Sequence, residues 1–361
     1  MAADLVCSAC GDRYQAGPDE PWRCSCGAPL DFAERPLPDG PPGTLDVSRG
    51  LWAFEDLLPV EPRVTLGEGF TPTTTSEHWD ATFKLEYVFP SGSFKDRGAT
   101  TTLSRAAELG VERVVEDSSG NAGAAIAQYA ARAGIDADVY VPAAAKESKL
   151  KAIRRVGATP VPVEGSRQDV TDACVAAVEE GEAWYASHAW NPAFFAGTMT
   201  VAFEVAAQRD WTVPDAVVLP LGHGTLFLGA YRGFARLKAA GWTDALPRLL
   251  GVQATGVAPI ADALHDTATG AATNDAADGI QIETPVRADQ IIDAIDATGG
   301  DAIAIDEDAT RDALEALHNR GFYVEPTSAV AVAGLEAYRV RGVLAADDEV
   351  VVPLTGSGLK Y

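Results

Sequence analysis

The chain has 361 residues, of which 47% are apolar and 22% are charged, a composition typical of a globular protein with room for two domains. Asp and Glu number 52 against 28 Lys and Arg, a formal net charge of −24 that argues against binding to nucleic acid. The sequence has no uncharged apolar run of about 18 residues and no secretory signal pattern. We therefore expect a cytoplasmic protein without a membrane span.

The acidic charge also predicts the salt conditions in which the protein works. It comes from 30 Asp and 22 Glu, while only seven Lys accompany 21 Arg. Concentrated salt screens the repulsion among these carboxylates, and strong net charge is a device that halophilic proteins use. We expect a halophilic, haloarchaeal-like protein, with an ordinary acidic enzyme as the alternative.

The N-terminal residues carry four of the five cysteines, which are Cys7, Cys10, Cys24 and Cys26. Two close thiolate pairs can fill a tetrahedral zinc site, and intracellular cysteine clusters bind metal more often than they form disulfides. The spacing predicts a structural zinc-ribbon-like module over residues 1–34, with free thiols or a redox pair as alternatives. We expect the fifth cysteine, Cys174, to be a small buried apolar residue.

A Pro/Gly-rich linker, residues 35–44, precedes a long region in which apolar runs alternate with Ala-rich segments of helical period. The runs predict strands at Val111–Glu116, Ala137–Val141, Thr159–Val163, Ala216–Leu221, Leu249–Val252, Ala302–Ile305 and Glu349–Leu354. The segments predict helices at Ala122–Ala133, Lys146–Val156, Asp169–Glu180 and Thr225–Ala239. This alternation predicts an α/β fold with doubly wound, mostly parallel sheets. Gly270–Asp278 is small and polar and predicts a surface loop.

Four loops rich in Gly, Ser and Thr carry the candidate chemistry, and the first of them contains Lys95. This lysine follows a turn in Pro90–Gly98 and begins a predicted helix. A positive helix end and a dry pocket both lower the pKa of an amine, which would make Lys95 a Schiff-base nucleophile. The alternative is a surface lysine that caps a turn.

The second and third loops each precede a predicted helix and could bind anions through backbone amides. The second loop is Asp117–Gly123, and its alternative interpretation is an ordinary connection with a Ser or Asn cap. The third is Leu221–Leu226, which lacks the Gly-Lys-Ser/Thr of a P-loop. The fourth loop, Leu354–Tyr361, offers hydroxyl groups after the last predicted strand, unless it is a disordered end. A reactive amine, anion nests and hydroxyl groups are what pyridoxal phosphate (PLP) requires.

The first loop, PSGSFKDRGA, closely resembles the lysine motif of the fold-type II PLP enzymes, in particular their threonine synthase branch. Four further stretches are similar to motifs of that branch: LGEGFTP (Leu66–Pro72), SSGNAGAAIAQYAARAG (Ser118–Gly134), EPTSAVAVAGL (Glu325–Leu335) and LTGSGLK (Leu354–Lys360). An N-terminal cysteine ribbon also occurs in some members. The resemblance extends over nearly the whole chain.

The resemblance implies a lyase that converts O-phospho-L-homoserine and water into L-threonine and phosphate. Lys95 would hold PLP as a Schiff base and then move protons, while a small amino-acid substrate places its carboxylate on Ser118, Ser119 and Gly120. The implied cofactor contacts are Gly222, His223, Gly224 and Thr225 for the phosphate, Asn121 for the phenolic oxygen and Thr355, with Ser357 as fallback, for the ring nitrogen. A neutral hydroxyl there makes the ring a weaker electron sink, which favours elimination and replacement over transamination.

Two departures from the family pattern concern the substrate and the cofactor loop. The Asn-Pro-x-Arg stretch of the family ends in Phe194 here, so Asn191 remains a candidate substrate ligand without the bidentate arginine. The residues that could replace that arginine at a substrate phosphate are Arg167, Arg155 and Lys149. The cofactor loop reads GHGTL, in which His223 tunes the loop or only packs beside it. A Ser/Thr dehydratase, a cysteate-synthase-like enzyme and an inactive paralogue stay open as alternatives.

The resemblance also implies two α/β domains and a homodimer. The smaller domain would cover residues 95–185, and the larger would combine residues 45–94 and 186–361. No nucleic-acid or membrane partner is expected.

Overall fold

The computed structural model describes residues 2–33, 37–181, 183–265 and 272–360. The chain forms two compact units. The first unit comprises Met1–Pro36, Thr44–Gly69 and Lys95–Thr198, and the second comprises Leu37–Gly43, Phe70–Phe94 and Met199–Tyr361. Residues 45–69 and 186–198, which the sequence assigned to the larger domain, group with the first unit. Of the expected linker, Arg35 and Pro36 lie outside the described residues.

The strands and helices alternate as the apolar runs predict, and no helix in the described ranges is long and apolar enough to cross a membrane. The strands are β1 (Leu5–Cys7), β2 (Arg13–Tyr14), β3 (Leu30–Phe32), β4 (Thr73–Ser76), β5 (Ala81–Lys84), β6 (Arg113–Glu116), β7 (Asp136–Pro142), β8 (Thr159–Val163), β9 (Trp184–Tyr185), β10 (Ala216–Pro220), β11 (Arg248–Ala254), β12 (Asp301–Ile305) and β13 (Val350–Pro353). The helices are α1 (Lys95–Leu109), α2 (Asn121–Ala133), α3 (Glu147–Arg155), α4 (Arg167–Glu179), α5 (Pro192–Ala207), α6 (Thr225–Ala239), α7 (Pro259–His265), α8 (Ala288–Thr298), α9 (Glu307–His318) and α10 (Pro326–Val340).

The first unit contains two sheets. The N-terminal residues form an antiparallel sheet in the order β2-β1-β3, with a core of only Leu5, Cys7, Cys24 and Leu30. A core this small needs support from a metal or from its surroundings. Part of that support comes from α1, because the buried Arg105 donates to the carbonyl of Ala3 (2.8 Å) and forms an ion pair with Glu20 (2.5 Å).

The second sheet of the first unit is parallel, in the order β8-β7-β6-β9. Its strands are rich in Val because a sheet covered by helices is buried on both faces. Cys174 on α4 is fully buried and packs with Val115 and Tyr185, which confirms its expected role as a small apolar residue.

The second unit is built on a six-stranded sheet in the order β12-β11-β10-β13-β5-β4. All neighbours are parallel except β4 and β5, which form an antiparallel pair at one edge. Helix α10 packs on β10 and β11 and contributes apolar residues from Ala329 to Leu335 to the core. The predicted α/β class with mostly parallel sheets is confirmed.

All seven predicted strands and all four predicted helices are present, with bounds that differ by two residues at most. The short strands β4, β5 and β9 were not predicted, because none of them contains an apolar run of Val and Ile.

Within the surface loop predicted at Gly270–Asp278, residues 272, 273, 275 and 278 are exposed as expected, but Asn274 and Ala277 are buried, and residues 270 and 271 lie outside the described part of the chain. Asn274 is fully buried, and its amide donates to the carbonyl of Ile305 (2.9 Å) and the hydroxyl of Thr310 (2.8 Å). A short 3-10 helix follows at Asp275–Ile280. Tertiary hydrogen bonds satisfy the Asn274 amide, which explains why this polar residue is buried.

Candidate active site

Lys95 is the first residue of α1, the helix start that the preceding turn predicts. The residue is half-buried. The next residues, from Asp96 to Ala106, are buried. Gly98 leaves room for the ring of Phe194, because a Cβ at this glycine would lie 2.2 Å from a ring carbon. Phe194 is itself fully buried, so the position where the family pattern has arginine is a core position in this chain.

A buried network fixes the first turn of α1. The hydroxyl of Tyr129 lies 3.3 Å from Asp96, the neighbour of Lys95, and 3.0 Å from Glu68. Burial and the two carboxylates raise the pKa of Tyr129, so its hydroxyl remains a donor. Trp52 donates to the same Glu68 (3.0 Å). The motif Leu66–Gly69 is thereby tied to the helix that begins at Lys95.

The second candidate loop connects β6 to α2, as predicted. Gly120 is the N-cap of α2, and no described side chain caps the helix there. Ser118 accepts a hydrogen bond from the amide of Gly120 (3.2 Å) through its hydroxyl. Ser118, Ser119, Gly120 and Asn121 are all half-buried. Amides at a helix start without a side-chain cap attract an anion such as a carboxylate.

Glu116, at the end of β6, is paired with His188. The ring Nδ1 of His188 lies 2.6 Å from one carboxylate oxygen, and its backbone N–H donates to the other (3.2 Å). The adjacent Asp117 accepts from the hydroxyl groups of Thr171 (2.6 Å) and Tyr185 (3.0 Å). The sequence patterns did not single out His188. They missed this pair because the partners lie 72 residues apart and share no motif.

The charges around this pair act on both partners. Burial raises the pKa of Glu116 well above its ordinary value, and the charge of Asp117 adds to the rise. Burial and, after it, the positive charges of Lys95 and Arg167 together lower the pKa of His188 to about 3, against the opposing charge of Asp117. The imidazole is therefore neutral near pH 7.

Of the other predicted substrate ligands, Asn191 is engaged within its own segment. Its amide donates to the carbonyl of Tyr185 (3.1 Å), and its side-chain oxygen accepts from the N–H of Ala193 (2.9 Å) at the start of α5. Lys149 and Arg155 lie on α3, and Arg167 begins α4. Among these three cations, Arg167 is the one whose charge acts on His188.

In the second unit, Gly222–Thr225 forms the turn between β10 and α6, as predicted. Gly224 is the N-cap of this 15-residue helix in the left-handed conformation (φ 74°), and none of the described side chains caps the helix. A Cβ at Gly224 would lie 2.5 Å from Ile291, so only glycine fits. Thr225 is buried, while His223 is half-buried. A helix start that offers backbone amides and a hydroxyl group has the donor chemistry that a phosphate requires.

The C-terminal loop is tied down, so the alternative of a disordered end fails for residues 354–360. The carbonyl of Thr355 accepts from the amide of Phe94 (3.0 Å), and the amide of Ser357 donates to the carbonyl of Gly92 (2.9 Å). The buried hydroxyl of Thr355 lies 3.1 Å from that of Ser328 on α10. Ser328, a contact that the sequence did not single out, holds the threonine hydroxyl in place.

The four N-terminal cysteines meet in the first unit. Their sulfur atoms all lie within 4.8 Å of one another, with 3.6 Å between Cys7 and Cys26 and 3.4 Å between Cys10 and Cys24. A tetrahedral zinc ion with Zn–S bonds of about 2.3 Å places its sulfur atoms about 3.8 Å apart. The donor set and spacing fit zinc. The hydroxyl of Tyr14, 3.2 Å from Cys24, adds a polar neighbour to the cluster.

Comparison with known proteins decides the family. Residues 64–356 match the pyridoxal-phosphate dependent enzyme family. The chain belongs to this family. Among its relatives, threonine synthase of Methanosarcina acetivorans is 34% identical over 99% of this chain and 92% of the relative. Threonine synthase of Methanocaldococcus jannaschii is 32% identical over 98% of this chain and 92% of its own length.

Solved structures of PLP enzymes share the fold. Threonine deaminase isoform 2 of Solanum lycopersicum matches with a TM-score of 0.68 and 22% identity, over 91% of this chain and 92% of that one. A PLP-dependent aspartate racemase also gives 0.68, with 23% identity over 80% of this chain and 90% of that one. The predicted fold type II is therefore confirmed for this PLP-family chain.

Proposed function

We propose that the protein is a threonine synthase, which converts O-phospho-L-homoserine and water into L-threonine and phosphate. The supporting observation is that two archaeal relatives described as threonine synthases match 98–99% of the chain, a span that includes the N-terminal cysteine module. The PLP family and the matching motifs from Leu66 to Lys360 agree with this function.

In the first unit we assign the amine chemistry to Lys95. Its amine would bind the aldehyde of the cofactor and later carry protons to and from the substrate. The network of Asp96, Tyr129 and Glu68 keeps the start of α1 in place for this role. Amides around Ser118–Gly120 would bind the substrate carboxylate, and Asn121 would donate to the phenolic oxygen of the cofactor.

In the second unit we assign cofactor binding to two loops. The amides of Gly222–Thr225, the Thr225 hydroxyl and the neighbouring His223 would hold the phosphate group. The Thr355 hydroxyl, positioned by Ser328, would face the ring nitrogen, with Ser357 as fallback. When bound, PLP supplies an electron sink for bonds that break next to the amino group. A neutral hydroxyl group beside the ring nitrogen would make PLP a weaker electron sink than an acidic partner would. A weaker sink favours elimination followed by addition of water.

One observation favours a second candidate, a PLP-dependent β-elimination or replacement enzyme such as a Ser/Thr dehydratase or a cysteate-synthase-like enzyme. Phe194 fills a core position where the family pattern offers an arginine to the substrate phosphate. Arg167, Arg155 or Lys149 must then supply that charge if the substrate carries a phosphate.

The substrate assay separates these candidates. With O-phosphohomoserine we expect equal amounts of phosphate and threonine, while serine, threonine and phosphoserine release neither ammonia nor phosphate at a comparable rate. Phosphate release can be followed colorimetrically and threonine by chromatography. Turnover of serine or threonine to ammonia without activity on O-phosphohomoserine would establish the dehydratase instead.

We also propose that Cys7, Cys10, Cys24 and Cys26 bind a structural zinc ion. Four thiolates complete a tetrahedral shell and leave no position for a substrate. The small core of the N-terminal sheet explains why a metal is needed there. Metal binding contributes folding free energy that so few buried apolar side chains cannot supply.

Replacing Cys7 by Ser is expected to lower the zinc content from one ion per chain to less than about 0.2, because one oxygen ligand weakens a four-thiolate shell. The visible absorbance of bound PLP should remain, since the cysteines lie far along the chain from the cofactor loops. Cys174→Ala, at a buried cysteine outside the cluster, is the matched control and should keep its zinc. Metal analysis and absorbance on the same samples test this, and full zinc content in Cys7→Ser would refute the site.

Homodimer formation and adaptation to a salt-rich cytosol stay predictions of the sequence. The net charge of −24 supports the second, because screening by salt relieves repulsion among carboxylates.

A further inference from the structure

The pair of Glu116 and His188 has no assigned role in the reaction above. Glu116 is fully buried, whereas the side chain of His188 is 13% exposed. Both carboxylate oxygens are fixed, one by the ring Nδ1 at 2.6 Å and one by the backbone N–H of His188 at 3.2 Å. Because Nδ1 faces the carboxyl group of Glu116, the other ring nitrogen, Nε2, is on the side of the ring away from that carboxyl group.

The pair lies directly beside the loop proposed to bind the substrate. Glu116 ends β6, and Ser118 follows two residues later. The charged groups that act on the ring are Asp117, Lys95 and Arg167, in addition to its partner. Both oxygens of Asp117 already accept hydrogen bonds from hydroxyl groups, so this carboxylate is partly compensated. Two cations near the ring favour an anionic group of a substrate.

The protonation of the pair follows from its surroundings. Burial favours a neutral carboxyl group by raising the pKa of Glu116, and burial with two nearby cations favours a neutral imidazole by lowering the pKa of His188. A protonated Glu116 donates its hydrogen to Nδ1, which places the ring proton on Nε2. The pair then holds one proton that it can give away at Nε2 and replace from the carboxyl group.

We propose that His188, oriented by Glu116, is the acid that protonates the departing phosphate of the substrate. This inference rests on the proposed function. Lys95, the proposed base, takes a proton from Cβ, and the electron pair of that C–H bond forms a double bond between Cβ and Cγ. The Cγ–O bond breaks as this double bond forms, and its electron pair leaves with the phosphate oxygen, which takes the proton from Nε2. The carboxyl proton of Glu116 moves to Nδ1, so a carboxylate and a neutral ring remain. A proton from water restores the pair after phosphate has left. His188 is thus a catalytic residue, and Glu116 is its positioning residue.

The first experiment follows the ring itself and does not depend on turnover. The holoenzyme is labelled with 15N-histidine, and the His188 signals are assigned by their loss in His188→Gln. We expect a neutral ring with its proton on Nε2 from pH 8 down to pH 5, and a shift of the Nε2 signal on addition of inorganic phosphate. A ring that protonates near pH 6.5, or an Nε2 signal that phosphate leaves unchanged, would overturn the proposal.

The second experiment measures phosphate release. His188→Gln should lower kcat about 10²–10³-fold, the range for loss of a general acid, with KM within about threefold. The wild-type kcat should fall as the pH rises through the titration of the pair, and this basic limb should disappear in the variant. Glu116→Gln, which cannot pass on a proton, should lower kcat about tenfold or more and shift the limb. His265→Gln, at an exposed histidine that pairs with Asp301 in the second unit, is the control and should keep the wild-type pH profile.

The outcomes separate the two proposals. If the wild-type enzyme releases no phosphate from O-phosphohomoserine, the proposed function fails, and the Nε2 shift with inorganic phosphate decides the role of His188 alone. If the wild type is active but His188→Gln retains both kcat and the basic limb, the acid role is refuted while the function stands.

Discussion

Replacing Lys95 by Ala is expected to abolish the visible absorbance band of the bound cofactor and to lower turnover about 10⁴-fold or more. The band arises from the Schiff base between the lysine and the PLP aldehyde, so it cannot form without the amine. The same amine is proposed to carry protons during the reaction, and loss of a general acid or base alone costs about 10²–10⁴-fold. Absorbance spectra and phosphate release from O-phosphohomoserine measure the two effects.

The matched control is Lys151→Ala on α3, since this lysine is exposed and lies outside the proposed site. It should keep both the band and the activity. Lys95→Arg retains a positive charge but cannot form the Schiff base, so it should behave like the alanine variant. A band of normal intensity in Lys95→Ala would show that another amine binds the cofactor, and it would refute the assignment of Lys95.

Replacing Glu204 by Ala is expected to destabilise the protein by about 3–5 kcal/mol, the cost of removing one partner of a buried ion pair. Glu204 and Lys84 are both fully buried and lie 2.8 Å apart. The other ammonium hydrogens donate to the carbonyl of Thr71 (2.9 Å) and to Gln208 (3.1 Å), so the lysine is fully satisfied only with its carboxylate. Glu204 also accepts from the amides of Phe70 (2.8 Å) and Thr71 (3.0 Å).

Urea unfolding followed by circular dichroism measures this loss. Arg311→Ala, which breaks an exposed ion pair with Glu307 in the same unit, should change the free energy of unfolding by less than about 1 kcal/mol. The double variant Lys84→Met/Glu204→Leu should be more stable than Glu204→Ala, because it removes both charges from the interior. A loss of stability in Glu204→Ala no larger than that in Arg311→Ala would contradict the stabilising role of Glu204 in the interior.

The network around Glu204 also has a consequence for the site motif LGEGFTP. Phe70 is in the left-handed region (φ 45°), which is unfavourable for a phenylalanine. The carboxylate of Glu204 holds the amide of this residue and that of Thr71, and Thr71 donates through its hydroxyl to the buried Glu86 (2.6 Å). The second half of the motif thus owes its conformation to charges that are distant in the sequence.

Local sequence patterns determined the fold class and most of its elements. Val- and Ile-rich runs gave the strands of both parallel sheets, because such strands must be apolar on both faces. Turn residues next to helix starts located Lys95, the Ser118–Asn121 loop and the Gly222–Thr225 turn, because glycine and small polar side chains favour turns and helix starts. At Gly224 the backbone itself requires glycine. The spacing of four cysteines likewise indicated their cluster.

Only the tertiary structure decided which polar groups are paired in the interior. Glu116 with His188 and Lys84 with Glu204 come from distant segments, and Asn274 was taken for a surface residue although its amide is bound inside the second unit. Apolar residues recur with the period of a helix or strand, but a charged residue follows no such pattern that would reveal its partner. Once a charged side chain is buried, it needs a partner, because an unpaired charge in the interior is energetically costly. The sequence by itself therefore determined the framework and the reactive loops. The tertiary structure decided the electrostatic surroundings, since these depend on burial and distance rather than on neighbours along the chain.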